Sequence, residues 1–241
     1  SKQSIYYAGW YNCKIQLTAK GNILPIDEGV IKFNDRDYQV TPALSDEDIH
    51  EINPVRERLY QLKLIGQYLE FDVGYGNISQ RQDFQSLCPT EKPQFIISGS
   101  QTGHLAMLNG EHYTRVVDFD INQNKISAMG PRTHISGASS ESLTHAAIYQ
   151  CNPAIKAVIH IHSNVIWQGM LNDQLTHTPS DVPYGTPLMA QAVKEAVKDN
   201  TRGYLAMAGH EDGVITYGDN FESAMEICMA LYEKYPYQPV N

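Results

Sequence analysis

The run Ala157-Val158-Ile159-His160-Ile161-His162-Ser163 constrains this chain more than any other segment. Its apolar and β-branched residues follow a helix-ending Asn152-Pro153 and predict a buried strand. Side chains on a strand alternate between faces, so His160 and His162 project together while Ile161 points the other way. Two neutral imidazoles side by side on a rigid strand form half of a metal site, and nitrogen donors at tetrahedral geometry suit zinc. The plainer reading is a strand whose polar face happens to carry two histidines. The apolar flanks and a third candidate downstream favour the metal.

That third candidate is His210, in the turn Gly209-His210-Glu211-Asp212-Gly213 between two apolar strands, where a side chain can be aimed back over the sheet. Three imidazoles leave zinc an open position, which separates catalytic from structural sites. His145, on the helix before the strand, and His134 compete for the role. His50, His104, His112 and His177 read as surface or structural. Glu141 stands on the first turn of the helix that leads into the histidine strand. An acidic residue there commonly complements the helix dipole beside a serine N-cap. Because helix and strand are consecutive, its carboxylate can also lie beside a metal without binding it and take a proton next to a polarised carbonyl. The same helix end, with Ser139 and Ser140, offers N–H groups and hydroxyls to an anion. Gly76-Asn77 and Thr102-Gly103 are turns with similar donors, each alone more often plain turn chemistry.

Elsewhere strands and helices intermix without strict βαβ alternation, predicting an α/β fold with one largely antiparallel sheet covered by helices. Residues 5–42 alternate loosely around Ile15, Leu17, Ile23, Leu24, Ile31 and Phe33, with Gly21-Asn22 as a turn, and predict two or three short edge strands. The acidic turn Ser45-Asp46-Glu47-Asp48 opens a helix expected to break or kink at Pro54 and resume through Leu59, Leu62, Ile65 and Leu69. A turn leading into a strand is expected over 73–80. Further strands are expected at 95–98, 114–120, 124–128, 203–207 and 214–217. Further helices are expected from Ser139 to Asn152, over 187–199, and from Phe221 to Tyr232.

The chain's 241 residues can bury one substantial core. Cys13, Cys88, Cys151 and Cys228 lack any CxxC spacing and read as reduced thiols of a cytoplasmic protein, so metal ligands are sought among the histidines. A formal charge of −9 argues against nucleic acid, whose phosphates demand a basic face. No stretch reaches membrane-span length, and the first residues do not read as a secretory leader.

Gly76-Asn77-Ile78-Ser79, Ser98-Gly99-Ser100-Gln101-Thr102-Gly103, Ser139-Ser140-Glu141, the His160/His162 pair and His210 occur in the order and approximate spacing of the class II aldolase/adducin family. The sequence resembles the fuculose-phosphate aldolase branch of that family more than its epimerase branch, over about residues 45–235. The resemblance implies a three-layer α/β/α fold with a mixed, mainly antiparallel central sheet. Residues 1–241 would form a single domain, with 1–44 as an N-terminal β-rich extension. It assigns metal ligation to His160, His162 and His210, with Zn2+, or another divalent ion such as Mn2+ or Co2+, as the cofactor. The general acid/base role falls to Glu141, and phosphate contacts to Asn77, Thr102, Gly103, Ser139 and Ser140. Epimerases of the family usually carry aspartate at the position of Glu141, so the glutamate favours the aldol reaction.

The implied activity is a metal-dependent lyase cleaving a small ketose or ketose phosphate through a metal-stabilised enediolate. A sugar-phosphate epimerase or dehydratase, and a non-catalytic adducin-like interaction module, are the alternatives. The implied assembly is a homo-oligomer, often a tetramer, with a catalytic tyrosine from the neighbouring subunit; Tyr232, Tyr235 and Tyr237 are candidates. The sequence departs from the family pattern at the third-histidine loop, two residues longer than the usual His-Gly, and at Gly74, where sugar-phosphate aldolases often place threonine. A cupin, the other source of a His-x-His strand, lacks support because its glutamate is missing from 163–169.

Overall fold

The computed structural model describes residues 6–7, 14–17, 23–26, 34–82, 84, 90–131 and 137–237. Its centre is an eight-stranded sheet with β4 (Asn34–Val40), β7 (Asn77–Gln82), β8 (Gln94–Ser98), β9 (Tyr113–Asp120), β10 (Lys125–Gly130), β11 (Ala157–His162), β12 (Gly203–Ala206) and β13 (Gly213–Gly218). The spatial order is β12-β13-β11-β7-β8-β9-β10-β4, and every pairing is antiparallel except that of β10 with β4. The one parallel pairing, at the edge strand, makes this the mixed, mainly antiparallel sheet that was expected. Ahead of it, β1 (Tyr6–Tyr7), β2 (Lys14–Leu17) and β3 (Ile23–Ile26) form a separate antiparallel sheet, and β5 (Gly66–Tyr68) with β6 (Val73–Tyr75) forms a two-stranded hairpin.

Among the described residues, six α-helices complete the fold: α1 (Asp46–Ile49), α2 (Ile52–Gln61), α3 (Ser142–Cys151), α4 (Asn164–Asn172), α5 (Pro187–Val197) and α6 (Phe221–Lys234). Alternation along β11 sorts them into two layers. Ala157, Ile159 and Ile161 pack in one core with Ile52 and Leu59 of α2, Ile166 and Met170 of α4, and Phe221, Ala224, Cys228 and Leu231 of α6. Val158 packs in the other with Leu143 and Ala146 of α3 and Met189 and Val193 of α5. The result is the three-layer α/β/α arrangement, with His160 and His162 on the α3/α5 face.

Several local expectations need correction. The first helix breaks at His50-Glu51, before Pro54. Pro54 then sits inside the first turn of α2, where a missing N–H leaves no helical bond unmade. Helix α2 stops at Gln61, Lys63 takes φ +59, and Leu69 is 87% exposed beyond the end of β5, not on a helix. Helix α4 fills 164–172, where no helix was expected, and Ser163 caps it by accepting from the Ile166 N–H. The Gly21-Asn22 turn, Cys13, Cys88 and His134 lie outside the described residues. Among the described residues, no helix is long and apolar enough to cross a membrane.

Candidate metal centre and adjoining cleft

Strand β11 pairs with β7 on one side and β13 on the other, so His160 lies opposite Asn77 and Ile215, and His162 opposite Gly213. His210 enters from the turn before β13, held by His210 N–H to Met207 O at 2.9 Å and Gly213 N–H to His210 O at 3.0 Å. Two extra loop residues do not carry it away: one potential ligand atom from each of His160, His162 and His210 lies within 4.8 Å of the other two. Ring centroids are separated by 4.9 Å (His160–His162), 5.3 Å (His160–His210) and 4.8 Å (His162–His210).

Burial favours the neutral form of the two histidines on β11. Loss of solvent pushes His160 down to about 3, and burial together with the neighbouring His210 and His160 pushes His162 well below the ordinary imidazole range. Rings that stay neutral keep a lone pair for a cation. The donor set fits a divalent metal on a second count. His160 Nε2 is buried without a hydrogen-bond partner, while Nδ1 of the same ring is 3.2 Å from the Asn77 amide. A stranded buried nitrogen costs about 1–3 kcal/mol, which coordination would offset. The glycine at 213 belongs to the same cradle: a Cβ there would lie 2.6 Å from His210 Cδ2 and 3.2 Å from His160 Nε2.

Aromatic rings enclose the cluster, and no sequence motif singled them out. Tyr184 stacks on His210 at 4.3 Å between centroids, and Tyr75 stacks on His162 at 5.5 Å. Tyr68 places its hydroxyl 2.9 Å from His162 Nδ1. Of the C-terminal tyrosines, proposed for a neighbouring subunit's site, Tyr235 donates its hydroxyl to Asp173 at 2.7 Å and Tyr237 is 77% exposed. His145 stays out of the cluster. It is fully buried on α3, with Nδ1 2.7 Å from the Ser79 hydroxyl, which also meets the Tyr149 hydroxyl at 2.8 Å.

Asn77, Thr102, Gly103, Ser139 and Ser140 line one small cleft, together with Gly74, Gly76, Gly99, Ser100 and Gln101. Asn77 joins this cleft to the histidines, because it lines the one and touches His160 in the other. Glu141 follows Ser140 immediately and precedes His145 by one helical turn, so cleft and buried β7 contacts bracket it. Its side chain is 1% exposed and makes no helix-capping hydrogen bond, while its N–H donates to Ser139 Oγ at 3.3 Å.

The cleft is built by close backbone approach. A Cβ on Gly103 would fall 2.1 Å from Gly66 O, and one on Gly74 would fall 3.1 Å from Gly103 N. A side chain at 74 would therefore press on the loop that forms the cleft wall, which would have to give by a few tenths of an ångström. Arg56 of α2, buried to 1% exposure, pins that wall from behind. Its guanidinium donates to the carbonyls of Thr102 (3.0 Å), Gly103 (3.1 Å) and Ala106 (3.0 Å), and to Leu105 O. Nothing around residue 56 in the sequence signals this, since the nearest of those partners along the chain lies 46 residues away.

Comparison with known proteins agrees with this architecture. L-fuculose-1-phosphate aldolase from Thermus thermophilus superposes with a TM-score of 0.51 at 20% identity, covering 77% of this chain and 89% of that one. A second structure described as L-fuculose 1-phosphate aldolase gives 0.55 at 17% identity, covering 83% and 92%. YgbL of Klebsiella pneumoniae, whose reaction is left open among aldolase, epimerase and decarboxylase, gives 0.56 at 18%, covering 80% and 88%. No curated protein matches the sequence significantly. Residues 59–234 match the family profile described as Class II Aldolase and Adducin N-terminal domain, a span that takes in α3, the three histidines and the cleft, and the chain belongs to the class II aldolase and adducin family.

Proposed function

We propose that this chain is a divalent-metal-dependent lyase that splits a carbon–carbon bond of a small ketose or ketose phosphate in a retro-aldol reaction. The observation that carries the reading is the convergence of His160, His162 and His210, with the cleft that includes Asn77 also taking in Ser139 and Ser140, the residues just before buried Glu141. These three imidazoles would hold the cation, with zinc favoured by the all-nitrogen donor set. When bound, it would supply positive charge where negative charge accumulates on the substrate's oxygens as the bond breaks.

The protein's own groups do the rest. Glu141 would hold and return the proton at the carbon that becomes nucleophilic, its burial keeping bulk water from competing. Ser139, Ser140, Thr102, Asn77 and the Gly103 N–H would bind the anionic or hydroxyl-rich end of the substrate in the cleft, at the N-terminal end of α3. As the bond breaks, the hydroxyl on the departing carbon gives up its proton to become the aldehyde carbonyl, and in the aldol direction the new alkoxide regains it; we assign that proton exchange to Tyr184, which stacks on His210. A scaffold role without catalysis fits poorly, because it gives no reason for a buried His160 Nε2 without a partner.

The test begins with purified protein, which should carry close to one divalent ion per chain and lose activity on chelation. Released aldehyde, assayed over phosphorylated and free ketoses with zinc, manganese and cobalt, separates an aldolase from an epimerase or dehydratase. The Glu141→Gln variant should keep its metal and lose turnover. Loss of metal in that variant would make Glu141 a ligand or a structural group, and the proposed role would fail.

A further inference from the structure

Either ring nitrogen of a histidine can serve a cation, but His162 Nδ1 faces the Tyr68 hydroxyl, which leaves Nε2 for the metal and requires the neutral tautomer with its proton on Nδ1. What stands at Nδ1 therefore matters. The Tyr68 hydroxyl lies 2.9 Å from it, and the same oxygen lies 3.3 Å from Asp212 Oδ2. A phenol has one proton to give, and a carboxylate can only accept. The phenol proton is directed at Asp212 Oδ2, which leaves the phenol oxygen to accept from His162 Nδ1–H. The opposite direction would put the proton on Nε2 and block ligation.

We propose that Asp212 and Tyr68 form a relay that fixes the His162 tautomer and ring orientation for a divalent cation, an inference that rests on the metal reading above. Each member is held in place independently. Asp212 Oδ1 accepts from Asn164 Nδ2 at 2.7 Å, and Asp212 O accepts from the Ser163 N–H at 2.9 Å. Asp212 adopts φ +67, a left-handed conformation that aspartate tolerates better than most residues. Tyr68 rides on the β5–β6 hairpin with its ring 4.5 Å from that of Tyr75, which itself stacks on His162. Asp212 is one of the residues that lengthen the loop between His210 and Gly213 beyond His-Gly. The longer loop thus brings a carboxylate to a second histidine, through a phenol where metal sites more often use a direct carboxylate–histidine bond.

Tyr68 and Asp212 are positioning residues, and the experiment reads position before activity. Nitrogen-15 spectra of the metal-free wild type should show His162 as the Nδ1–H tautomer, and Asp212→Asn should shift the ring toward Nε2–H. Zinc affinity, measured by competition with a chromophoric chelator, should fall about tenfold or more in Tyr68→Phe and in Asp212→Asn. The double variant should bind zinc no more weakly than Tyr68→Phe alone, since a broken relay cannot be broken twice. An Nε2–H tautomer in the wild type, unchanged zinc affinity in both variants, or losses that simply add would each overturn the relay while leaving the metal site standing. A wild type that binds no zinc would instead overturn the metal reading and the relay together.

Discussion

Asn77 on β7 stands directly opposite His160 on β11, with its amide 3.2 Å from the ring's Nδ1. One residue thereby belongs to both the small cleft and the histidine cluster. Replacing Asn77 with Leu should weaken zinc binding about tenfold, as loss of a ligand's hydrogen-bond partner commonly does. It should also raise KM for a phosphorylated substrate. Chelator competition and steady-state kinetics on the same preparation separate the two effects.

Gly213→Ala introduces a methyl that would sit 2.6 Å from His210 and 3.2 Å from His160 Nε2. The strand can tolerate alanine; the histidine cradle cannot. Metal content should drop severalfold while the far-ultraviolet circular dichroism stays that of the wild type. A variant with a full complement of metal would show that the rings do not converge on that space.

Ser79→Ala should destabilise the fold without touching the metal. The change leaves His145 Nδ1 and the Tyr149 hydroxyl, both buried, without their shared partner, at a cost of about 1–3 kcal/mol. Urea unfolding should show the loss. Unchanged zinc per chain would confirm that His145 serves the core and not the cation.

Asp48 gives the pH-dependent prediction. Burial works against its carboxylate, but the Ser45 N–H and hydroxyl and the Arg115 guanidinium at 3.1 Å outweigh it and hold its pKa below the ordinary range. A depressed folded pKa stabilises the protein above the unfolded value and is lost as pH falls through the folded one. Asp48→Asn should therefore cost about 1 kcal/mol at pH 7, mostly through the capping box at Ser45. The gap between wild type and variant should narrow below about pH 4, the ordinary aspartate range. Chemical unfolding at pH 7 and pH 3 measures it.

The histidine strand was legible because a period of two is a local property: nothing beyond residues 157–163 is needed to put His160 and His162 on one face. His210 and the cleft residues were legible as an ordered set of short motifs. What surrounds them was not. Tyr68, Tyr75 and Tyr184 meet the histidines through sheet order and hairpin placement, which single-chain periodicity does not encode. Arg56 reads as an ordinary helix residue until the loop it pins arrives from 102–106. Leu69 continued a helical spacing that α2 does not use, because the chain turns at Lys63 and pairs β5 with β6. The parallel join of β4 to β10 was likewise invisible, since it depends on strands some ninety residues apart.

Strand β11 sends Ile159 and Ile161 into one core and both histidines to the other side. A slip of one residue in its pairing would exchange those sets, driving imidazoles into hydrocarbon and isoleucines into the cleft. Correct zippering of this strand and readiness to bind a cation are therefore a single event. A misregistered chain would be inert instead of promiscuous, and the metal would recognise only molecules that had finished folding.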